Sequence, residues 1–201
     1  DTVNQIIYTA DGNDFGTINM ATGVFTAITT HMGSLNGAEG SNNINGLDGM
    51  TYDYANNLIW ATERASGADG LPDDMLLKID PSTGIPLPNG FGAGVGYVTV
   101  VTNEHDLDDV AMAADGTLYA ISNYGSSGNQ RLGIINTTTG AFTEIGDYGV
   151  EDVESLTFTA TGQLLATTGE DGDHKNRLYS IDAATATATF IGSIEPAHDV
   201  E

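Results

Sequence analysis

Four times along this 201-residue chain a short apolar run closes on an Ile-Asn or Ile-Asp pair or its like, passes through a Thr-rich turn and enters another short run. The copies are Gly16–Thr26, Leu77–Gly84, Gly133–Thr143 and Tyr179–Thr189. Each predicts a hairpin, because an Asn or Asp side chain bonds its own backbone two residues on, and Gly takes the left-handed position that closes the loop. Repetition of this kind restricts the fold to an array of like units before any single residue is considered.

A second phrase, a polar turn followed by a short apolar or alternating run, precedes each hairpin at Asn4–Thr9, Asn56–Thr62, Asp115–Ile121 and Thr161–Thr167. Such runs between turn formers are strands. Upstream again lies an entry phrase, Gly46–Tyr52, Asp106–Met112 and Asp152–Phe158, and the sequence stops at Asp199-Val200-Glu201, partway through another copy. One module is thus an entry strand, a second strand, a variable loop and the Thr-rich hairpin. Four strands at a period of roughly 46 to 60 residues make one propeller blade. Helical periodicity is absent, since apolar residues recur at spacing two and Gly or Asn interrupts longer runs. The expectation is an all-β fold, a β-propeller of four four-stranded repeats forming a single domain over 1–201. The repeats run about 1–45, 46–104, 105–150 and 151–197, with 198–201 starting a further entry strand. A segment of a larger propeller is one alternative; a β-sandwich, the other, leaves the fixed order of the three phrases unexplained.

The succession Asp-Val-Glu-Ser-Leu-Thr-Phe at 152–158, Gly-Gln-Leu-Leu-Ala-Thr at 162–167, Leu-Tyr-Ser-Ile-Asp at 178–182 and Thr-Phe-Ile-Gly-Ser at 189–193 resembles the blades of YVTN-like and quinoprotein-dehydrogenase-like β-propellers. The resemblance implies the architecture, and the kind of large secreted repeat and adhesin-like protein in which such blades occur. No tryptophan-docking pattern or acid-base set accompanies it that would imply the quinone-dependent chemistry. Asp1–Asn4 aligns with Thr159–Gly162, so the first module is expected to enter at its second strand. Three arrangements fit these ends: a compact four-bladed ring with one thin blade, a segment of a longer propeller, or a subunit whose open edge a neighbour fills.

Charge narrows the partners. Five Lys plus Arg against 28 Asp plus Glu give a formal net charge of -23. Nucleic acid and anionic membranes are repelled, and divalent cations or cationic surfaces are attracted. With no cysteine, neither disulfides nor thiolate metal sites are available. No run approaches the roughly 18 apolar residues of a membrane helix, so no membrane insertion is expected. The Thr- and Gly-rich acidic composition points to a secreted or cell-surface protein.

The acids that open the entry phrases are the candidate chemistry. Asp48, Asp108, Glu154 and Glu201 share one repeat position, and Asp106, Asp152 and Asp199 another. In a propeller the entry strand lines the central channel, so these carboxylates are expected to converge there and to need a cation, a proton or hydrogen-bond donors. Ca²⁺, which takes six to eight oxygens at about 2.3 to 2.6 Å, is the expected cofactor. The competing expectation is that these acids cap backbone amides at strand starts. His105 and His198 precede Asp106 and Asp199 at equivalent places, while His31 and His174 lie in loops. Asp11-Gly12-Asn13-Asp14 and Glu170-Asp171-Gly172-Asp173 resemble fragments of Ca²⁺ loops without the distal Glu. Glu63, Asp69, Asp73 and Asp74 cluster in the longest insertion, Thr62 to Asp74, expected to be a solvated acidic loop. Asn89–Gly96 follows prolines and precedes a strand, so it predicts a long hairpin connection rather than a phosphate loop.

Together these features favour an extracellular, non-catalytic binding or structural module, self-assembling through open strand edges and stabilised by calcium. Its expected partners are a protein or carbohydrate surface ligand or copies of itself. The alternative is a metal-dependent lactonase or phosphoesterase-type hydrolase, with a cation at the channel mouth and Asp108, Glu154 and His105 as ligands or base.

Overall fold

Residues 5–37, 40–44, 46–64, 74–100, 106–123, 130–170 and 173–194 are described by the computed structural model. Among them every regular element is a strand. The first sheet joins β1 (Ile7–Asp11), β2 (Asp14–Ile18) and β3 (Phe25–Thr29). A separate hairpin, β4 (Ser34–Gly37) with β5 (Gly40–Asn43), leads to the second sheet: β6 (Gly49–Asp53), β7 (Leu58–Arg64), β8 (Asp74–Asp80), β9 (Ile85–Pro86) and β10 (Tyr97–Val100). The third holds β11 (Asp106–Met112), β12 (Leu118–Asn123), β13 (Gln130–Ile135) and β14 (Phe142–Asp147). The fourth holds β15 (Val153–Phe158), β16 (Leu164–Thr168), β17 (Arg177–Ile181) and β18 (Ala188–Ser193). Pairing within the third and fourth sheets is antiparallel between chain neighbours, so each is a meander.

The Thr-rich turns are built as their residues require. Asn19, Asp80, Asn136 and Asp182 each accept, through Oδ1, the backbone N–H two residues on, at 2.8 to 2.9 Å. The residue closing each turn has positive φ: Gly23, Gly84, Gly140 and, in the fourth copy, Ala186. Asn89–Gly96 belongs to the connection between β9 and β10, both of which pair with β8, so the outer strand of the second blade is interrupted by that connection. The hairpin β4–β5 had no repeat to announce it. It packs beside β10, where Tyr97 accepts a hydrogen bond from Asn42 Nδ2 at 2.8 Å.

Three apolar cores lie between successive sheets. Phe15 of the first sheet packs with Ile59, Ala61, Leu77 and Ile79 of the second. From the other face of the second sheet, Trp60, Leu76 and Val100 meet Leu107, Val110, Leu118 and Ile135 of the third. Ile121 and Leu132 meet Val153, Leu164, Tyr179 and Ile181 of the fourth. Alternate residues of β7, β8, β12 and β13 therefore face opposite cores, which a two-layer sandwich does not ask of its sheets. Each such apolar side chain contributes about 1.5 to 3 kcal/mol on burial. The result is face-to-face stacking of blades around β6, β11 and β15, with β11 packed against both of the others.

Candidate functional site

The entry strands bring their acids to one space. β11 and β15 each carry a bulge at the same place, between Leu107 and Asp109 and between Val153 and Ser155. The extra residues are Asp108 and Glu154. Together with Asp48 and Asp109 they line a cavity of about 740 Å³ whose walls also include Thr9 and Ala10 of β1. A bulge re-aims one side chain without losing the ladder on either side, and here it turns a carboxylate toward the axis. Asp152 does not line this space: its backbone has φ 60°, and Gly169 stands beside it in place of any larger residue. The side chain of Asp106 and all of His105, His198, Asp199 and Glu201 lie outside the described residues. Among the described residues no three His, Asp or Glu side chains converge closely enough to hold one metal ion. Carboxylate oxygens are the donor type that a hard cation takes.

One of these carboxylates bonds backbone amides across blades. Asp109 accepts the N–H of Val110 and, from the next blade, of Leu156, both at 2.7 Å. A third bond comes from the backbone of Met50 in the preceding blade. One half-buried residue with its carboxylate turned inward therefore ties three entry strands together. Burial pushes its carboxyl up to about 7, against the lowering effect of those bonds, with Asp108 adding to the rise. Gly49 is the facing residue; a Cβ there would lie 2.7 Å from Asp109 Oδ1. Tyr148 is buried nearby, and burial, then Asp109 and Asp108, push its phenol up.

Asp108 is engaged as well, accepting from Gln130 Nε2 at 2.8 Å. The same carboxamide donates to Val153 O at 2.9 Å and accepts the Val153 N–H. In the preceding blade Asp74 plays the matching role, accepting the Leu107 N–H at 2.6 Å. This corrects the expectation of a solvated acidic loop, since Glu63 and Asp74 are buried strand residues; Asp69 and Asp73 fall outside the described residues. Asp11-Gly12-Asn13-Asp14 is a tight turn, with Asp11 paired to Asp14 and Gly12 at φ 57°. Asp171 and Gly172 lie outside the described residues, between an exposed Glu170 and an exposed Asp173. His31 is exposed, and the His174 carbonyl accepts from Thr168 Oγ1.

A second polar cluster went unseen in the sequence. Asp53 accepts from Trp60 Nε1 at 3.1 Å and from Asn56 Nδ2 at 2.8 Å. Burial alone would raise its carboxyl, but the bonds from Asn56, Trp60 and the Ala55 amide outweigh it and hold it below the ordinary value. Lys78 Nζ lies 4.5 Å from the ring centroids of both Trp60 and Phe91. Burial lowers its ammonium, with Asp53 acting in the opposite direction.

The first blade presents a different surface. Among the described residues β1 is an edge strand, in the place that β7, β12 and β16 hold beside their entry strands. Along it runs an apolar groove of about 560 Å³ lined by Ile6, Ile7, Tyr8 and Met20 on one side and Met50, Tyr52 and Ile59 on the other.

Blades stacked in chain order around an acidic axis define a β-propeller. No family model and no curated protein matches the sequence. Among solved structures the chain is similar to one in a nidogen/laminin complex, at 9% identity and TM-score 0.60, covering 96% of this chain and 63% of that one. It is also similar to a protein assigned as a gluconolactonase, at 12% identity and TM-score 0.53, covering 96% of this chain and 60% of that one. At such identities the likeness establishes the fold alone. The chain spans less than two thirds of the length of each, 63% and 60%.

Proposed function

We propose that this chain is a non-catalytic binding or structural module, displayed outside the cell, that takes an extended strand onto the open edge of its first blade. The groove along β1 carries this reading. In the second blade the entry strand fills the equivalent place, with Met50 opposite Ala61, Thr51 opposite Trp60 and Tyr52 opposite Ile59. In the fourth, Leu156, Thr157 and Phe158 stand opposite Ala166, Leu165 and Leu164. Pairing with the third strand puts Thr9, Tyr8 and Ile7 of β1 in these places, one residue on from the sequence alignment of Asp1–Asn4 with Thr159–Gly162, and Ile7 is 42% exposed. The strand that fits is therefore apolar, then Thr, then aromatic, running antiparallel to β1; main-chain bonds supply affinity and alternate side chains supply selectivity.

A hydrolase would need hub carboxylates available to a cation or to water. Asp109 is instead committed to amide donors that hold blades together, and Asp108 to the Gln130 carboxamide within its own blade, which favours the scaffold. The test is a labelled peptide copying residues 155–161, Ser-Leu-Thr-Phe-Thr-Ala-Thr, titrated into the chain and followed by fluorescence anisotropy. Saturable micromolar binding, weakened about tenfold or more by Ile7→Lys, is the expected outcome. Absence of binding, or binding indifferent to Ile7→Lys, would remove the edge from the function.

A further inference from the structure

The residue that heads the third strand of a blade reaches across to the next blade. Asp74 does so to the N–H of Leu107, and Gln130 to the N–H of Val153. Leu107 and Val153 are both the second residue of an entry phrase, Asp-Leu-Asp and Asp-Val-Glu. Register puts Asn176 in the same place in the fourth blade: Thr167 pairs with Leu178 as Ile121 pairs with Leu132, and Asn176 and Gln130 each stand two residues before those partners. Asn176 is 5% exposed, and its Oδ1 is buried without a hydrogen-bond partner among the described residues. Native folds rarely leave such an atom unpaired.

The flank of the same blade repeats the pattern. In the third blade Gly146 lies beneath the hairpin tip of the fourth, with Thr185 O and Ala186 Cβ at 3.3 and 3.4 Å from the place of its Cβ. Its counterpart Gly192 has nothing within 4 Å among the described residues. Ile145, the bulged residue of β14, packs into the core between the third and fourth blades. Its counterpart Ile191 is 51% exposed. Polar and apolar features that a following blade covers in the third are thus uncovered together in the fourth among the described residues.

We propose that Asn176 Oδ1 is the docking point for the inner strand of a further blade, whose hairpin tip would cover this flank as Thr185 and Ala186 cover Gly146. The occupant of that point is the Asp199-Val200-Glu201 segment of this chain, with Val200 donating its backbone N–H to Asn176. That segment lies outside the described residues and repeats Asp152-Val153-Glu154 letter for letter. Asn13 holds the same place in the first blade, and its Oδ1 is also buried without a partner among the described residues; the phrase that follows it reads Gly46-Leu47-Asp48, without the leading acid.

Amide hydrogen exchange on the full, isotope-labelled chain tests the assignment. Val200 is expected to exchange about tenfold or more slowly than in an unstructured peptide. The protection should vanish in Asn176→Leu and persist in Asn176→Gln, which restores the carboxamide that the third blade uses, while Val153 stays protected throughout. Where Asn176→Leu also costs Val153 its protection, Val200→Pro decides: it removes the donor while leaving the fourth blade untouched, and should lower the melting temperature with Val153 still protected. Peptide-like exchange at Val200, protection indifferent to Asn176→Leu, or an unchanged melting temperature in Val200→Pro overturns the proposal. Protection that grows with protein concentration also overturns it, by giving the site to a second copy of the chain.

Discussion

Asp109 carries the sharpest consequence of the fold at the scale of a single residue. Its carboxyl titrates at about 7 in the folded chain against 3.8 for the free group. Between those values the folded state holds a proton that the unfolded state has lost, so stability falls as pH rises through the window and is level above it. The slope for one such group reaches about 1.4 kcal/mol per pH unit. Acidifying from about pH 8 to about pH 5 should therefore stabilise the wild type more than Asp109→Asn, whose carboxamide does not titrate. Thermal melts of both proteins across that range check it, and parallel pH profiles would show that the bridging carboxyl is not the titrating group. Little of this is legible in the sequence. The repeat draws attention to Asp48, Asp108 and Glu154, which share a position, whereas Asp109 aligns with Gly49 and Ser155 and so belongs to no recurring set. Gln130 is hidden for a like reason, as its counterparts are Asn13, Asp74 and Asn176, which follow loops of different length. The entry phrases point the acids toward the axis and leave open whether they hold a cation or cap amides; Asp109, outside that set, caps amides, while Asp108 accepts from the Gln130 carboxamide.

Among the elements, the Thr-rich hairpin does more than reverse the chain, because its closing residue touches the blade before it. A Cβ on Gly84 would meet the Phe15 ring and Thr29 Cγ2 in the first blade at 2.6 and 2.8 Å, and one on Gly140 would land on the Thr99 carbonyl of the second. Ala186 is tolerated at this place because the third blade offers Gly146 there. Gly23, in the first blade, has nothing within 4 Å among the described residues. Two substitutions in one turn type should therefore differ in cost. Gly23→Ala should lose only the left-handed backbone preference, about 1 to 2 kcal/mol. Gly140→Ala adds overpacking of about 1 to 3 kcal/mol against Thr99. Chemical denaturation of the two variants measures the difference, and equal losses would mean that the tip does not bear on the neighbouring blade. These hairpins are legible because Asx turns and positive-φ glycine are local, written within six residues. The β4–β5 hairpin and the break of the outer strand between β9 and β10 are not, since Asn42, Gly96 and Tyr97 find their partners only through tertiary contact.

For the molecule as a whole, a formal charge of -23 on 201 residues sets stability against self-repulsion. Three of those charges, Asp48, Asp108 and Glu154, face one cavity of about 740 Å³. At about 0.1 M ionic strength the Debye length is about 10 Å, so charges across such a space still feel one another. Sodium chloride should raise the melting temperature by screening alone. A divalent cation concentrates further where carboxylates face a confined volume, even without a coordination cage. Millimolar calcium should thus stabilise more than sodium chloride at matched ionic strength, by roughly 2 to 4 °C for each kcal/mol gained in a chain of this size. The double variant Asp48→Asn, Glu154→Gln keeps the amide bonds of Asp109 and removes two of the facing charges. It should melt higher than the wild type at low salt and lose the excess response to calcium. Identical melts in calcium and sodium would assign the stabilisation to general screening over the surface, and an unaltered calcium response in the double variant would place the responsible carboxylates elsewhere than on these entry strands.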